Sequence, residues 1–270
     1  LSTLRFPDLI PDTFVGRDPA AIEAFAKRYD QVVLKPSFLM GGDGVIKLPS
    51  NDPQFRAKAQ AFIDAYFEGY PSVRRFIDEQ HRAAGSDSGN TFCIVSFGED
   101  TCLPHGGEGD RALKSGDIVL IDTGCAFDGY NSDITRTYVY GKPTKRMREV
   151  WALEKEAQAA AFAAARIGSP CEVVDAAARG VLTRAGLGPD YRLPGLPHRT
   201  GHGIGLDGHE PVNLVRGETT KLAPGMCFSN EPGIYIPGEF GIRLEDCFHM
   251  TESGPKWFSE PPPSLDKPFD

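Results

Sequence analysis

Four carboxylates end or open segments that otherwise read as apolar strands, and this placement limits the possible folds more than any other feature of the chain. Asp122 closes "DIVLID", Asp133 opens "DITRTYV", Glu231 follows "CFSN" and Glu245 follows "GIRL". A single acid at a strand end is most simply a solvated charge; four with apolar flanks call for a shared cause. Between the two aspartates lies Asp128-Gly129, a strong signal for a two-residue hairpin turn. Such a turn pairs Asp122 with Thr135 and leaves Asp133 on the diagonal, so period-two alternation points both aspartates to one face of the sheet. Carboxylates that close repel unless a cation or a proton lies between them. Glu231 and Glu245 repeat the arrangement around "YIPGEFG", provided the loop has an odd length or carries a bulge.

A second feature sits between these acids. Residues 197–210, "PHRTGHGIGLDGHE", hold three of the six histidines, laced with glycines that allow close backbone approach. Four carboxylates with the His202 imidazole suit a pair of divalent ions such as manganese, cobalt, iron or zinc, and the oxygen-rich donor set favours manganese. Two ions together can make a water nucleophilic at neutral pH. His198 and His209 are then free for a substrate, while His81 and His249 read as structural.

Composition narrows the function classes. With 40% hydrophobic residues over 270 positions, the chain can bury a sizeable core as one large or two small domains. A net charge of -8 argues against nonspecific binding to nucleic acid or to an anionic membrane, which needs a clustered positive field. No long apolar run or N-terminal signal suggests insertion or secretion. Six cysteines without a Cys-x-x-Cys pair read as reduced thiols, which fits a cytoplasmic protein. The first residue is leucine, as in a fragment of a longer protein.

The "GSDSGN" cluster at 85–90 divides the chain. Before it, a helix over Pro19–Tyr29, the strand "QVVLK", a glycine loop, the strand "VIKL" and a helical stretch over Phe55–Ala84 with a break at Gly69–Pro71 are expected. After it come strands at "TFCIVSF", "DIVLIDTG" and "ITRTYVYG", then helices from about Thr144 to Ala165 and Glu172 to Ala185, stopped by Gly186. The remainder reads as strand and loop. This order indicates an α+β domain with an antiparallel sheet covered on one face.

In the motifs "LIDTG", "NSDITRT", "TGHGIGLDGHE", "SNEPGIY" and "RLEDC", Asp122, Asp133, His202, Glu231 and Glu245 resemble the five ligands of the pita-bread dinuclear metallopeptidases. His105 in "LPHGG", together with His198, His209 and Arg243, resembles the substrate-side residues of the proline-specific branch, prolidase and aminopeptidase P. The likeness covers about residues 76–270 and implies a pita-bread fold, a homodimer and hydrolysis of the bond before proline in a peptide. By the same resemblance Asp122 would chelate one ion, His202 and Glu231 the other, and Asp133 and Glu245 would bridge them. Glu231 would accept the proton of the attacking water, His105 and His209 would steady the scissile carbonyl, and His198 and Arg243 would hold the Xaa-Pro unit and its carboxyl side.

Residues 1–75 depart from that family as a mosaic segment. The stretch from "PDTFVG" to "GVIKL" resembles part of bacterial glutathione synthetase, an ATP-grasp ligase whose nucleotide phosphates lie under positions matched by Lys35 and Gly41 to Gly44. The magnesium-binding acids of such a site have no counterpart here, so a small α/β packing element is expected. Residues 59–77 weakly resemble a helix of family A DNA polymerases, for which amphipathicity is explanation enough. The mosaic reads as a fused or rearranged chain. Two other functions follow from it: an ATP-grasp ligase fragment, or a metal-binding scaffold without activity.

Overall fold

The computed structural model describes residues 19–34, 46–67, 71–107, 111 and 113–269. The chain divides into two compact units, Leu1–Gly69 and Tyr70–Asp270. In the first, helix α1 (Pro19–Ala26), the antiparallel strands β1 (Gln31–Leu34) and β2 (Ile46–Pro49), and helix α2 (Phe55–Phe67) surround a small core of Ile22, Ala26, Val32, Leu48, Phe55 and Ala59. Lys35 and Gly41 to Gly44 lie outside the described residues.

In the second unit the described residues begin with helix α3 (Pro71–Ala83), and residues 68–70, on which the expected break at Gly69–Pro71 falls, lie outside the described residues. Strands β3 (Asn90–Phe97), β4 (Ile118–Phe127), β5 (Tyr130–Asn131) and β6 (Ile134–Val139) form one antiparallel sheet, in which β3 lies on one side of β4 and β5 and β6 lie on the other. Phe127 pairs Tyr130 across the Asp128-Gly129 turn, and both turn residues have positive φ, 49° and 80°. That is the twist a two-residue hairpin loop needs. Val95, Phe97 and Val119 are buried beneath this sheet, with Val73 and Ile77 of α3 packed against them.

Helix α4 (Lys145–Ala164) is capped by Thr144, whose hydroxyl accepts from the Met147 amide at 3.2 Å, and α5 (Glu172–Arg184) stops just ahead of Gly186. A five-stranded sheet follows in the spatial order β13 (Gly254–Trp257), β12 (Asp246–Thr251), β9 (Cys227–Asn230), β7 (Gly201–Gly203) and β8 (Glu210–Leu214). The hairpin of β10 (Gly233–Ile236) and β11 (Phe240–Arg243) continues the chain between β9 and β12. Apolar residues of α4 (Val150, Trp151, Ala157, Ala161) and α5 (Val174, Ala178, Val181, Leu182) bury themselves with Phe228, Ile234, Ile242, Leu244, Phe248 and Met250 of these strands. The expected α+β arrangement, with antiparallel strands covered by helices, is the observed one.

Phe248 is the hub of that core, fully buried and within 6 Å, centroid to centroid, of Phe162, Phe228 and Trp257. Phe248→Ala is expected to lower unfolding free energy by about 3–5 kcal/mol in urea titration. Tyr140→Ala, at a residue 53% exposed, should stay within about 0.5 kcal/mol. Equal losses for the two would contradict this assignment of the core.

Candidate metal and substrate site

The carboxylates meet because two ladders hold the registers that alternation requires. Asp122 on β4 pairs with Thr135 on β6, which leaves Asp133 one diagonal step away on the same face. In the five-stranded sheet Asn230 pairs Asp246 and in the β10–β11 hairpin Gly233 pairs Arg243, so Glu231 stands opposite Glu245 in the register shared by these pairs. The intervening loop, residues 237–239, is odd in length because Ile236 pairs Phe240. An isolated bridge between Thr135 and Glu245 brings the two sheets together at these acids. His202 arrives on β7, where Gly201 permits close approach: a Cβ there would meet the Ser229 carbonyl oxygen at 2.1 Å.

Ligand-capable atoms of Asp122, Asp133 and Glu245 lie within 4.8 Å of one another, and so do those of His202, Glu231 and Glu245. A third such group, Asp133, His202 and His209, draws in the second loop histidine, whose ring centroid is 4.1 Å from that of His202. His202 Nδ1 faces the Gly203 carbonyl oxygen at 3.0 Å. A carbonyl only accepts, so Nδ1 carries the proton and Nε2 presents its lone pair. That lone pair faces Glu231 Oε1 at 3.2 Å and Asp133 Oδ2 at 3.6 Å. Burial, then the neighbouring His209, pushes the His202 pKa down to about 3, so protonation does not relieve the clash.

The acids themselves are similarly unbalanced. Burial, reinforced by Asp122 and Glu231, holds the Asp133 carboxyl well above its usual range, and burial with Asp133 does the same to Glu245. Burial pushes Glu231 up to about 7. Asp122 Oδ1 and Glu245 Oε1 are buried with no hydrogen-bond donor. Acceptors without donors, arranged around an imidazole lone pair, are what cation ligands look like before the cation is counted. These five residues fit divalent metal.

Two of the residues expected on the substrate side, His198 and Arg243, are linked through Tyr235. His198 Nδ1 donates to the Arg199 carbonyl oxygen at 2.8 Å, and its Nε2 accepts from the Tyr235 hydroxyl at 3.0 Å. The same hydroxyl oxygen accepts from Arg243 Nη1 at 2.7 Å. Burial, followed by the Arg243 charge, lowers the His198 pKa to about 3 and keeps the ring neutral. Arg243, expected to face a substrate carboxylate, gives Nη2 to Asp122 Oδ2 at 2.5 Å, Nη1 also to the Pro104 carbonyl and Nε to the Thr135 hydroxyl. His105 and His209 are more exposed; burial lowers both pKa values, Arg243 adding to the shift of His105 and Arg199 to that of His209. His81 instead meets the Thr123 hydroxyl and His249 stacks on Phe258, both apart from this cluster.

Three residues of the site were not singled out from the sequence. Thr135 donates to Glu245 Oε2 at 2.6 Å, and the alternation of Asp133, Thr135 and Thr137 on β6 was a signal for it. Tyr235 lies in "GIYI", which reads only as an apolar strand. Arg136 bonds the carbonyls of Thr135 and Glu245 and the Asp246 carboxylate, a role that depends on both sheets and has no local signature.

Residues 65–252 match metallopeptidase family M24. The chain belongs to this family. Membership implies divalent metal, in agreement with the donor set, and the fold of the matched region is the pita-bread fold. The chain is 44% identical over 166 residues to the Xaa-Pro dipeptidase of Lactobacillus helveticus, covering 62% of this chain and 44% of the relative. It is 49% identical over 164 residues to the probable dipeptidase PepE of Mycobacterium tuberculosis, covering 60% and 42%. The X-Pro aminopeptidase structure from Thermotoga maritima superposes with a TM-score of 0.65 at 31% identity, covering 77% of this chain and 54% of that one. The chain thus spans less than half the length of these two curated relatives. Residues 1–84 match the ATP-grasp domain of prokaryotic glutathione synthetase.

The Thr135 hydroxyl orients Glu245 and also accepts from Arg243 Nε. Thr135→Val should therefore weaken divalent-metal affinity by roughly 10- to 100-fold, as loss of a ligand-orienting hydrogen bond does elsewhere. Calorimetric metal titration reads this directly, and unchanged affinity would show that the hydroxyl does not orient the ligand.

Proposed function

We propose that the chain hydrolyses the peptide bond preceding proline, as an Xaa-Pro dipeptidase or aminopeptidase, with two divalent ions held by Asp122, Asp133, His202, Glu231 and Glu245. The observation that carries this reading is the convergence of four carboxylates on an imidazole lone pair beside a second group of neutral histidines. Asp133, Glu245 and His202 each belong to two of the candidate ligand groups. A carboxylate has two oxygens to share between ions, whereas His202 has only Nε2 free, which supports a bridging role for Asp133 and Glu245 and one ion each for Asp122 and His202. The oxygen-rich donors favour manganese over zinc, cobalt or iron. Bound ions would supply Lewis acidity, polarising the scissile carbonyl and lowering the pKa of water.

The remaining work falls to the protein. Glu231 takes the proton of the attacking water and stays within reach of His202. His209 and His105, both neutral, donate to the carbonyl oxygen as negative charge develops there. His198, held by Tyr235, faces the proline side, and Arg243 fixes Asp122 while offering its charge to the substrate's carboxyl side. The likeness to an Xaa-Pro dipeptidase and an X-Pro aminopeptidase supports the substrate class.

A homodimer in a reducing cytoplasm suits this assignment; all six cysteines are free, and among the described residues no helix is long and apolar enough to cross a membrane. For the first unit we favour a packing element over a nucleotide site, since Lys35 and its loop lack the magnesium-binding acids of a ligase.

The test is hydrolysis of Gly-Pro by the manganese-loaded protein, with elemental analysis of variants. His202→Ala should lose metal and activity together, and Asp133→Ala should lose more than one ion, because a bridging carboxylate screens both. His209→Ala should retain metal and lose about 100-fold or more in turnover, the scale of one oxyanion donor. A His209→Ala protein as metal-poor as His202→Ala, or no hydrolysis by the loaded parent, would contradict the reading.

A further inference from the structure

The segment that carries His198 is held in an unusual way. Residues 187–200 form an irregular connection between α5 and β7. Gly195 exchanges backbone hydrogen bonds with Tyr235, and Thr200 donates to the Leu214 carbonyl. Between those two ties, residues 196–199 make no backbone–backbone hydrogen bond. Buried carbonyls in such a stretch need donors from elsewhere.

For Leu196 and His198 those donors come from one side chain on α5, while the Arg199 carbonyl meets the His198 ring. Arg179 Nη1 donates to the Leu196 carbonyl at 2.8 Å and to the Asp190 carbonyl at 2.6 Å, and Nη2 donates to the His198 carbonyl at 2.5 Å. Nε donates to Asp175 Oδ2 at 2.8 Å, one helical turn earlier. The other Asp175 oxygen accepts from the Thr200 hydroxyl at 2.7 Å, so the pair grips the segment at both ends. Tyr191 stacks on the guanidinium at 4.2 Å. Both charged side chains are buried, 8% and 1% exposed. Buried ions of this kind persist where their hydrogen bonds are completed, and here four of the five guanidinium donors are engaged.

We propose that Arg179, braced by Asp175, is a positioning residue that fixes the backbone of His198 and thereby the substrate side of the site, without acting on the metal side. The consequence for proline substrates rests on the function proposed above. The division follows from where Arg179's own bonds end, at the carbonyls of Asp190, Leu196 and His198 and at Asp175. The tie to Thr200, whose carbonyl accepts from the Glu231 amide, belongs to Asp175. His202, four residues beyond His198, is held independently by its amide on the Ser229 hydroxyl and by its pairing with Asn213. Its Nε2 approaches the carboxylates from a strand, whereas His198 hangs from a loop in which Arg179 engages the Leu196 and His198 carbonyls.

Arg179→Lys is the informative variant. It keeps the charge beside Asp175 but cannot present a planar fork to three carbonyls. In the metal-loaded full chain, KM for Gly-Pro should rise about tenfold with kcat within about a factor of three, and metal content should be unchanged. Adding Arg179→Lys to His198→Ala should change KM by less than about twofold, because the coupled residues act as one. Amide hydrogen exchange over 195–200 should speed by about tenfold or more while β9 and β12 keep their protection. Multiplying KM effects, parallel loss of metal, or unchanged exchange would each overturn the proposal. If the parent does not hydrolyse Gly-Pro, the functional reading fails on its own, and the exchange measurement still decides whether Arg179 holds the segment.

Discussion

The lone pair of His202 Nε2 points at carboxylates, and the rest of the site follows from that contact. The ring cannot turn its proton toward Glu231 and Asp133, because Nδ1 is already tied to the Gly203 carbonyl. Arg243 is the buried guanidinium among these acids, and its hydrogen bond goes to Asp122. Left alone, the cluster would raise its carboxyl pKa values until protons replaced the missing charge, which is the direction seen for Asp133, Glu231 and Glu245. Divalent ions held by these residues would supply the positive charge that the cluster lacks. The family to which the chain belongs uses metal, so the local electrostatics and the family membership point the same way.

Holding such a cluster together requires a scaffold that tolerates its repulsion. The two antiparallel sheets meet at the Thr135–Glu245 bridge, and Arg136 ties both backbones there while its other nitrogen engages Asp246 at 2.6 Å. Gln158 of α4 completes Asp246 and passes its own carbonyl to Asn230, next to Glu231. The strands next to Glu231 and Glu245 are therefore braced from behind by a linked polar layer of Arg136, Asp246, Gln158 and Asn230, beside the apolar faces of α4 and α5. The ligands approach closely because their supports cannot separate.

The metal side was far more legible in the sequence than the substrate side. Asp128-Gly129 fixed one register, and alternation then paired Asp122 with Thr135 and put Asp133 beside it, as observed. For Glu231 and Glu245 alternation required an odd loop or a bulge, and the folded chain has the odd loop around Gly238. Both are local rules acting over a few residues. Tyr235, Arg136 and Arg179 were missed because their partners lie on other elements: a tyrosine in an apolar strand and an arginine on a helix carry no mark of the carbonyls they will meet. Arg243 shows the same limit. Its proximity to the site was legible from family likeness, but its engagement with Asp122 needed the folded chain.

The central claim is that the buried acids destabilise the fold until cations join them. Scanning calorimetry of the metal-stripped and manganese-restored protein, beside Asp133→Asn treated identically, tests it most directly. Metal that binds the folded state should raise the parent's Tm in a concentration-dependent way. The neutral amide should raise the metal-free Tm above that of the stripped parent, and should blunt the response to metal. If stripped parent and variant melt together, and manganese shifts neither, the carboxylates are not the unbalanced cluster described here.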